Sequence, residues 1–307
     1  MAIDITIIVP VYNVAPYLRE CLDSVRVQKF VNWEAVCVDD GSTDGSGDIL
    51  DEYAARDRRF RVIHQKNAGV CAARQKAWDE ARGEWVASVD SDDWIDDDFL
   101  LCFGKAINGH SCDIVWTGLV VHDGGAVEEK RQRVPADVQG YARALLEERV
   151  WGGCVIRAFR RSFMESSGVR FPSAAIGFQE DLCFVARCLA HKPVLRYVEG
   201  CSYHYRQRQG SALHGGGYNG VEAFVEIQRD LEKSLRGLGV DDLLNVRRQW
   251  TKLVMCKHIL ELGIKRYVST FPDVTDVGKL PISRIYKIAF RAINGSALLL
   301  AKLRGLS

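Results

Sequence analysis

One pattern recurs four times over the first hundred residues: a short apolar run, a polar cluster, then a stretch with helical spacing. Ile3 to Val9 is β-branched with a single acid, which reads as a buried strand, and Pro10-Val11-Tyr12-Asn13 ends it. Pro16 suits the first turn of a helix, and Tyr17, Leu18, Cys21, Leu22 and Val25 follow at helical intervals. Trp33–Val38, Phe60–His64 and Glu84–Val89 read as three further strands. Ile49, Leu50 and Tyr53 carry a helix after the second. Another runs from about Val70 to Arg82, with Gly83 as a good stop. Strand alternating with helix predicts an α/β fold, with a mostly parallel sheet flanked by helices on both faces.

Ligands of such sheets bind outside the carboxyl ends of the strands. The unusual polar clusters all fall there: Tyr12 and Asn13, Asp39 and Asp40, Asn67, then Asp90 and Asp92. Alternation along Val86–Trp94 points Asp90 and Asp92 to the same side. Two acids held together repel unless a cation lies between them, and a hard divalent ion bound through oxygen fits that need. Taken alone, Asp90-Ser91-Asp92-Asp93 reads equally as a solvated acidic turn. Four clusters at one edge of a sheet favour a ligand site. There is no Gly-x-x-x-x-Gly-Lys-Ser/Thr loop, and no Gly-x-Gly-x-x-Gly follows the first strand. A phosphate-loop NTPase and a dinucleotide-dependent dehydrogenase are therefore disfavoured. Acids bind a phosphorylated ligand when a metal bridges carboxylate to phosphate, and Asp39 or Asp40 can accept hydrogen bonds from a base or a ribose. The first half thus reads as a metal-assisted nucleotide site.

Val9-Pro10-Val11-Tyr12-Asn13, Val38-Asp39-Asp40-Gly41-Ser42-Thr43-Asp44, Asn67-Ala68-Gly69 with Ala72-Ala73-Arg74, and Asp90-Ser91-Asp92-Asp93 occur in that order. Each is weak alone, but the ordered set resembles the family 2 glycosyltransferases of bacterial surface glycans. The likeness extends from residue 3 to about 212. It implies a GT-A (Rossmann-like) catalytic domain that uses a nucleoside-diphosphate sugar with Mn2+ or Mg2+ and inverts the anomeric centre. By that likeness Pro10, Tyr12, Asn13, Asp39, Asp40, Asn67 and Ser91 border the nucleotide sugar, Arg74 lies near it, and Asp90 helps hold ribose and metal. Asp92 becomes the direct metal ligand. Without the likeness, Arg74 reads as a helix residue paired with a local acid, and Tyr12 as a packing aromatic.

The acceptor half continues the resemblance. Asp113–Val121 reads as a strand, followed by a long irregular region through Trp151-Gly152-Gly153. Arg157, Arg160 and Arg161 read as a solvated helix face. Asp181, with Glu180 beside it, matches the acid of the family's Glu-Asp motif and is thereby implied as the general base. An acceptor hydroxyl needs a carboxylate to take its proton during attack. The same residues also suit a helix N-terminus, where acids are favoured. Gly200–Arg206 reads as a last strand, and the likeness places Arg206 and Ser211 on the diphosphate, with His204 as a third metal ligand or a diphosphate contact. A lone strand His is also an ordinary core or rim residue.

Residues 1–217 form the expected catalytic domain, with a nucleotide-sugar half over 1–108 and an acceptor half over 109–217, and 218–307 form a helical region. Tyr218–Leu238 and Leu243–Tyr267 show helical periodicity. The tail from Val277 to Ser307 has no acid but carries six basic residues. Its basic face, Arg284, Lys287 and Arg291, opposes Ile282, Ile285, Ala289 and Ile293, so residues 278–307 suit an anionic membrane surface or an ordinary docked helix. The helical region could equally cover the catalytic domain or make a homo-oligomer contact.

A formal net charge of +1 argues against a nucleic-acid partner. Ten cysteines without a Cys-x-x-Cys pair read as free thiols of a reducing compartment. The first residues carry Asp4 and no secretory signal pattern, and no apolar run reaches the roughly 18 residues of a spanning helix, which points to a cytoplasmic chain, peripheral at most on the inner face of a membrane. The expected function is transfer of a sugar, UDP-linked by default, to a glycan or lipid-linked saccharide. The alternative is a non-catalytic GT-A-like scaffold that binds sugar nucleotide or partners another glycosyltransferase. A nucleotidyltransferase lacks its basic Gly-rich loop here.

Overall fold

The computed structural model describes residues 4–108, 111–172, 179–208, 220–259, 263–278, 280 and 284–303. The chain divides into two compact units, Met1–Gly217 and Tyr218–Ser307.

The first unit is built on β1, Ile5–Val11, whose seven residues are all buried. Burial on both faces explains why Ile5-Thr6-Ile7-Ile8-Val9 runs nearly unbroken in apolar side chains instead of alternating. It pairs in parallel with β2 (Trp33–Asp39) and β4 (Trp85–Ser88), and β2 pairs in parallel with β3 (Phe60–His64). In register, Ile5 faces Trp33 on one side and Trp85 on the other. All four strands therefore end at the same edge. The expected parallel sheet holds over this half.

Helices α1 (Ala15–Arg26), α2 (Ser46–Arg56) and α3 (Val70–Asp79) connect these strands. Helix α1 buries Leu18, Cys21, Leu22 and Val25, the stripe its sequence spacing predicts. Each such side chain taken from water contributes roughly 1.5–3 kcal/mol. Helix α3 ends three residues before the expected Arg82. Its exit is fixed from outside: the Arg82 amide donates to Glu34 Oε1 at 2.8 Å, and the Gly83 amide to Thr6 Oγ1 at 2.8 Å. A Cβ on Gly83 would lie 2.5 Å from the Thr6 nitrogen, so only glycine lets the chain pass this close to β1.

Beyond β4 the pairing becomes mixed. The full order is β3-β2-β1-β4-β8-β6-β9-β5, with β7 paired to β6. Here β5 is Trp94–Ile95, β6 Ile114–Asp123, β7 Ala126–Lys130, β8 Arg157–Arg160 and β9 Leu195–Gln207. Strand β8 is antiparallel to both β4 and β6, whereas β6 and β9 run parallel. Helix α4 (Phe99–Ile107) follows β5. The region expected to be irregular holds the β6–β7 hairpin and helix α5, Val138–Leu146, capped by Asp137 accepting from the Gly140 amide at 2.7 Å. A 3-10 turn at Cys154–Ile156, helix α6 (Arg161–Ser167) and helix α7 (Glu180–Ala190) complete the unit.

Arg157 corrects the expectation of a solvated basic face. It lies on a strand and is fully buried. Its Nε donates to Tyr141 Oη at 2.8 Å, and its two terminal nitrogens hold the carbonyls of Trp151 and Gly153. A buried guanidinium is tolerated only with its donors satisfied, and this one fastens the Trp151-Gly152-Gly153 loop to the sheet.

The second unit contains α8 (Gly220–Leu235), α9 (Asp241–Lys257), a short helix Ile264–Ser269 and a last described helix Arg284–Leu303. Val225, Met255, Tyr267, Val277, Phe290, Ala297 and Ala301 lie in its core. Among the described residues the second expected helix, to Tyr267, is interrupted after Lys257, and Tyr267 is a buried anchor on the short helix Ile264–Ser269. Among the described residues no helix is long and apolar enough to cross a membrane. The nine cysteines with described side chains are free thiols.

Candidate active site

The loops after β1, β2 and β3 lock together at the sheet edge. The Asn13 amide donates to Ser42 Oγ at 3.1 Å, and Asn13 Oδ1 accepts from the Thr43 amide at 2.8 Å. Asn13 has φ 51°, a left-handed conformation that asparagine tolerates better than most residues. Asp39 Oδ1 accepts from the Ser42 amide and Oδ2 pairs with His64 Nδ1, both at 2.9 Å. Burial alone would raise the Asp39 carboxyl, but its bonds to Ser42 and His64 outweigh that and hold it below the usual range. The bond to Asp39 raises His64 in turn.

Asp40 is buried and fully engaged. Oδ1 accepts from Gln65 Nε2 at 2.7 Å and the Ala68 amide at 2.9 Å, and Oδ2 accepts from the Gly69 amide at 2.8 Å. Its carboxylate thus shapes the Asn67-Ala68-Gly69 turn. Gly41 has φ +79°, and a Cβ there would sit 3.0 Å from the Asn67 nitrogen, so the two loops touch through glycine. Tyr12 is half exposed at this edge, Asn67 is exposed, and Pro10 is buried within β1.

Strand β4 delivers the second group. The Asp90 amide donates to Tyr203 Oη at 3.0 Å, and that hydroxyl donates to Asp93 Oδ2 at 2.6 Å. Asp93 Oδ1 accepts from the Arg206 amide at 2.8 Å. Asp93 is 1% exposed, and burial, with Asp92 and Asp90 nearby, pushes its carboxyl well up. It is a clamp between the acidic turn and β9, a role that its place as a neighbour of Asp92 did not reveal. Ser91 is buried beside it.

Asp92 points the other way. Its Oδ2 pairs with Arg208 Nε at 2.8 Å, and its carbonyl accepts from Arg206 Nε at 3.0 Å. The Arg206 guanidinium lies 4.5 Å from the Trp94 ring centroid and also pairs with Glu20, while Arg208 lies 5.1 Å from the centroid of Tyr17. Two cations thus gather at the acidic turn. Arg208 was missed in the sequence, where its one signal is the alternation Arg206-Gln207-Arg208, which puts both arginines on one side of an extended chain.

His204 is not brought to Asp90 and Asp92. Its Nδ1 meets His122 Nε2 and its Nε2 meets Asp96 Oδ1, each at 2.9 Å, and its ring stacks on Trp94. Opposite Trp94 in the β5–β9 register, its side chain lies among aromatics with both nitrogens engaged. Among the described residues no three His, Cys, Asp or Glu side chains converge as a ready metal cage. Two carboxylates that leave other positions to phosphate oxygens and water still match the way Mg2+ and Mn2+ are held beside nucleotides. The donor set of Asp90 and Asp92 fits such an ion.

Glu180 and Asp181 occupy the first turn of α7, where the helix N-terminus favours acids. Both meet Arg74, which is 3% exposed. Arg74 Nη1 reaches Asp181 Oδ1 at 2.7 Å and Glu180 Oε1 at 3.1 Å, and Nη2 reaches Asp90 Oδ1 at 2.8 Å. One guanidinium therefore joins Asp90 to the Glu-Asp pair, and its bond to Asp181 spans more than a hundred residues of sequence. Cys154 Sγ adds a donor to Asp181 at 3.2 Å. Burial, with Glu180 and Asp90, raises Asp181 to about 6 against the opposing pull of Arg74. Its side chain remains 18% exposed, so it keeps a face toward solvent. A carboxylate near neutral pKa that is still reachable is suited to accept a proton. Ser211 lies outside the described residues.

Residues 6–172 match the family model described as glycosyl transferase family 2. EpsH of Bacillus subtilis, which carries a provisional glycosyltransferase name, is 34% identical over 249 residues, covering 75% of this chain and 71% of that protein. The structure of S. aureus TarS 1-349 in complex with UDP-GlcNAc superposes with TM-score 0.69 at 20% identity, over 99% of this chain and 92% of that one. A mannosyltransferase from Pyrobaculum calidifontis in complex with GDP-Man and Mn2+ gives TM-score 0.58 at 17% identity, over 97% and 87%. At these identities the structural likenesses speak to the fold.

Proposed function

The chain belongs to glycosyl transferase family 2 and is a glycosyltransferase of the GT-A fold, and from that premise we propose that it transfers a sugar with inversion from a nucleoside diphosphate to a glycan or a lipid-linked saccharide. The observation that carries this reading is the Asp90–Arg74–Asp181 bridge. It supports a reading in which Asp90 serves the donor's cation and Asp181 the acceptor's proton, both held by one buried charge. UDP-sugar is the default donor; the solved relatives hold UDP-GlcNAc in one case and GDP-Man in another.

In this reading Asp181 takes the acceptor hydroxyl proton as the oxygen attacks the anomeric carbon, and the carbon–oxygen bond to the diphosphate breaks with its electron pair leaving on the nucleotide. Asp90 and Asp92 would hold Mn2+ or Mg2+, which when bound neutralises charge on the diphosphate. Arg206, Arg208 and, by family likeness, Ser211 supply positive or donor groups to the same leaving group, where charge grows in the transition state. Asp39 and Asn13 order the loops that border the base and ribose, with Tyr12 exposed at their rim. A lipid-linked acceptor would bring the enzyme to the inner face of a membrane.

The test is release of nucleoside diphosphate from a panel of UDP-, GDP- and dTDP-sugars with Mn2+. Asp181→Asn is expected to lower turnover by roughly 10²–10⁴-fold while leaving nucleotide binding intact, the usual share of a general base. Metal-dependent binding without release from any donor would instead mark a sugar-nucleotide-binding scaffold.

A further inference from the structure

The last described helix, Arg284–Leu303, carries two apolar faces. One is buried in the second unit by Phe290, Asn294, Ala297 and Ala301, at i, i+4, i+7 and i+11. The other is open: Ile288, Ile293, Leu299 and Leu300 are 56, 42, 60 and 40% exposed. At 100° per residue these four, with Ala289 and Ala292, fill the sector away from the core. Ala289 and Ile293 are members of the apolar face expected from sequence, and both are on the outside. An exposed apolar stripe of this kind marks an interaction surface.

Charge identifies what covers it. Between Val277 and Ser307 there are six basic residues and no acid. Lys287, Arg291 and Lys302 fall along one margin of the open stripe by the same angular reckoning. Arg291 is paired with Asp276 at 2.8 Å and Lys287 donates to the Gly278 carbonyl at 2.7 Å, while Lys302 is exposed. A second copy docked antiparallel across a two-fold axis would set this basic margin against itself. The helix does not meet the requirements of a membrane span. A basic margin beside an apolar stripe on such a helix suits a position in the interface plane of an anionic bilayer.

We propose that the open face of Arg284–Leu303 docks on anionic phospholipid bilayers, with Ile288, Ile293, Leu299 and Leu300 entering the headgroup boundary and the basic margin meeting lipid phosphates. This contact is independent of the catalytic reading. It holds even for a chain that transfers no sugar.

The experiment is vesicle co-sedimentation of the full chain with phosphatidylglycerol–phosphatidylcholine vesicles and with pure phosphatidylcholine. Wild type is expected to bind the anionic vesicles, less so as salt rises. Ile288→Ser with Leu299→Ser, both on the solvent side, should weaken binding by about tenfold or more through the apolar area no longer transferred from water. Lys302→Gln should weaken it by about fivefold, the effect of one cation near an anionic surface. Thermal melts and donor turnover of these variants should match wild type. Absence of wild-type binding to anionic vesicles overturns the proposal, as does unchanged binding by the double serine variant. A wild-type dimer that becomes monomeric in that variant, with no vesicle binding by either, assigns the stripe to a second copy and also overturns it.

Discussion

Replacing Arg74 with Gln removes one buried charge and strands three carboxylates at once. The guanidinium sits 2.8 Å from Asp90, 3.1 Å from Glu180 and 2.7 Å from Asp181, and all three ion pairs vanish with it. At an effective dielectric near 20, each close pair carries about 4 kcal/mol of attraction, offset by the desolvation that the folded state has already absorbed. Removing one partner of a buried pair typically costs about 3–5 kcal/mol. That corresponds to a melting-temperature drop of roughly 10 °C, since about 1 kcal/mol moves a domain of this size by roughly 2–4 °C. The drop must depend on pH. Asp181 already titrates at about 6, raised by burial and held down by Arg74. Without the arginine it rises further. A carboxyl whose folded value exceeds its unfolded value costs stability above the folded value, and the cost fades as pH falls through it. Each further unit of rise returns about 1.4 kcal/mol on going from pH 8 to pH 5. The assay is thermal unfolding of wild type and Arg74→Gln at those two pH values, beside the pH profile of donor turnover. The deficit should narrow in acid, and the acidic limb of turnover should move up by a unit or more. A deficit under about 1 kcal/mol, the scale of a surface ion pair, or one equal at both pH values, refutes the assignment of Arg74 as the charge that sets Asp181.

Asp92→Asn should abolish Mn2+-dependent thermal stabilisation by a nucleoside diphosphate and leave the melting temperature of the ligand-free chain within about 2 °C, because its pair with Arg208 is partly solvated. Tyr203→Phe removes the hydroxyl that joins Asp93 to the Asp90 amide and should cost about 1–3 kcal/mol, the penalty for buried polar groups left without a partner; a change under about 0.5 kcal/mol in denaturant unfolding, an order-of-magnitude bound from the same principle, would exclude Asp93 as a clamp. His64 should titrate by NMR above its usual value and fall in Asp39→Asn, with the remainder of the rise left to Asp51, which meets its other ring nitrogen at 3.2 Å. Its raised value means that the pair's contribution is present in acid and fades as pH rises through the folded pKa.

Much of the nucleotide half was legible because β1, β2 and β4 are buried on both faces and its helices carry one apolar stripe each. Trp33–Asp39 falls within a residue of its sequence reading for that reason, and Phe60–His64, of which only Phe60 is buried, matches its reading as well. The acceptor half was not. Strand β7, Ala-Val-Glu-Glu-Lys, is an exposed edge with no buried side to print a period on its sequence. Arg157 sits among other arginines and gives no local sign that it is fully buried, since its partners are carbonyls and a tyrosine hydroxyl that no spacing reveals. Within the site, sequence could name Asp40, Arg74, Asp90 and Asp181 but not their partners. Asp40 reads as a ribose acceptor, and three donors from the next loop already occupy most of its acceptor positions. His204 reads as a metal ligand, a diphosphate contact or an ordinary core or rim residue, and only the strand register sets it on Trp94 with Asp96 and His122.

The bridges that build the site span great lengths of chain: Arg74 to Asp181, Asp90 to Tyr203, Asp92 to Arg208. Contacts of such separation form late, because the entropy of closing long loops must be met before they reward it. Strands β1 to β4 can assemble from the first ninety residues with the order seen in the finished sheet. At that stage Arg74 has Asp90 alone, and Asp93 has neither Tyr203 nor the Arg206 amide. Tyr203, the Arg206 amide and Arg208, which meet the acidic turn, all come from β9 or the residue after it. The acidic turn is therefore finished by a strand more than a hundred residues away, so the nucleotide half is not a separable module: its charges are balanced only in a chain that extends through residue 208.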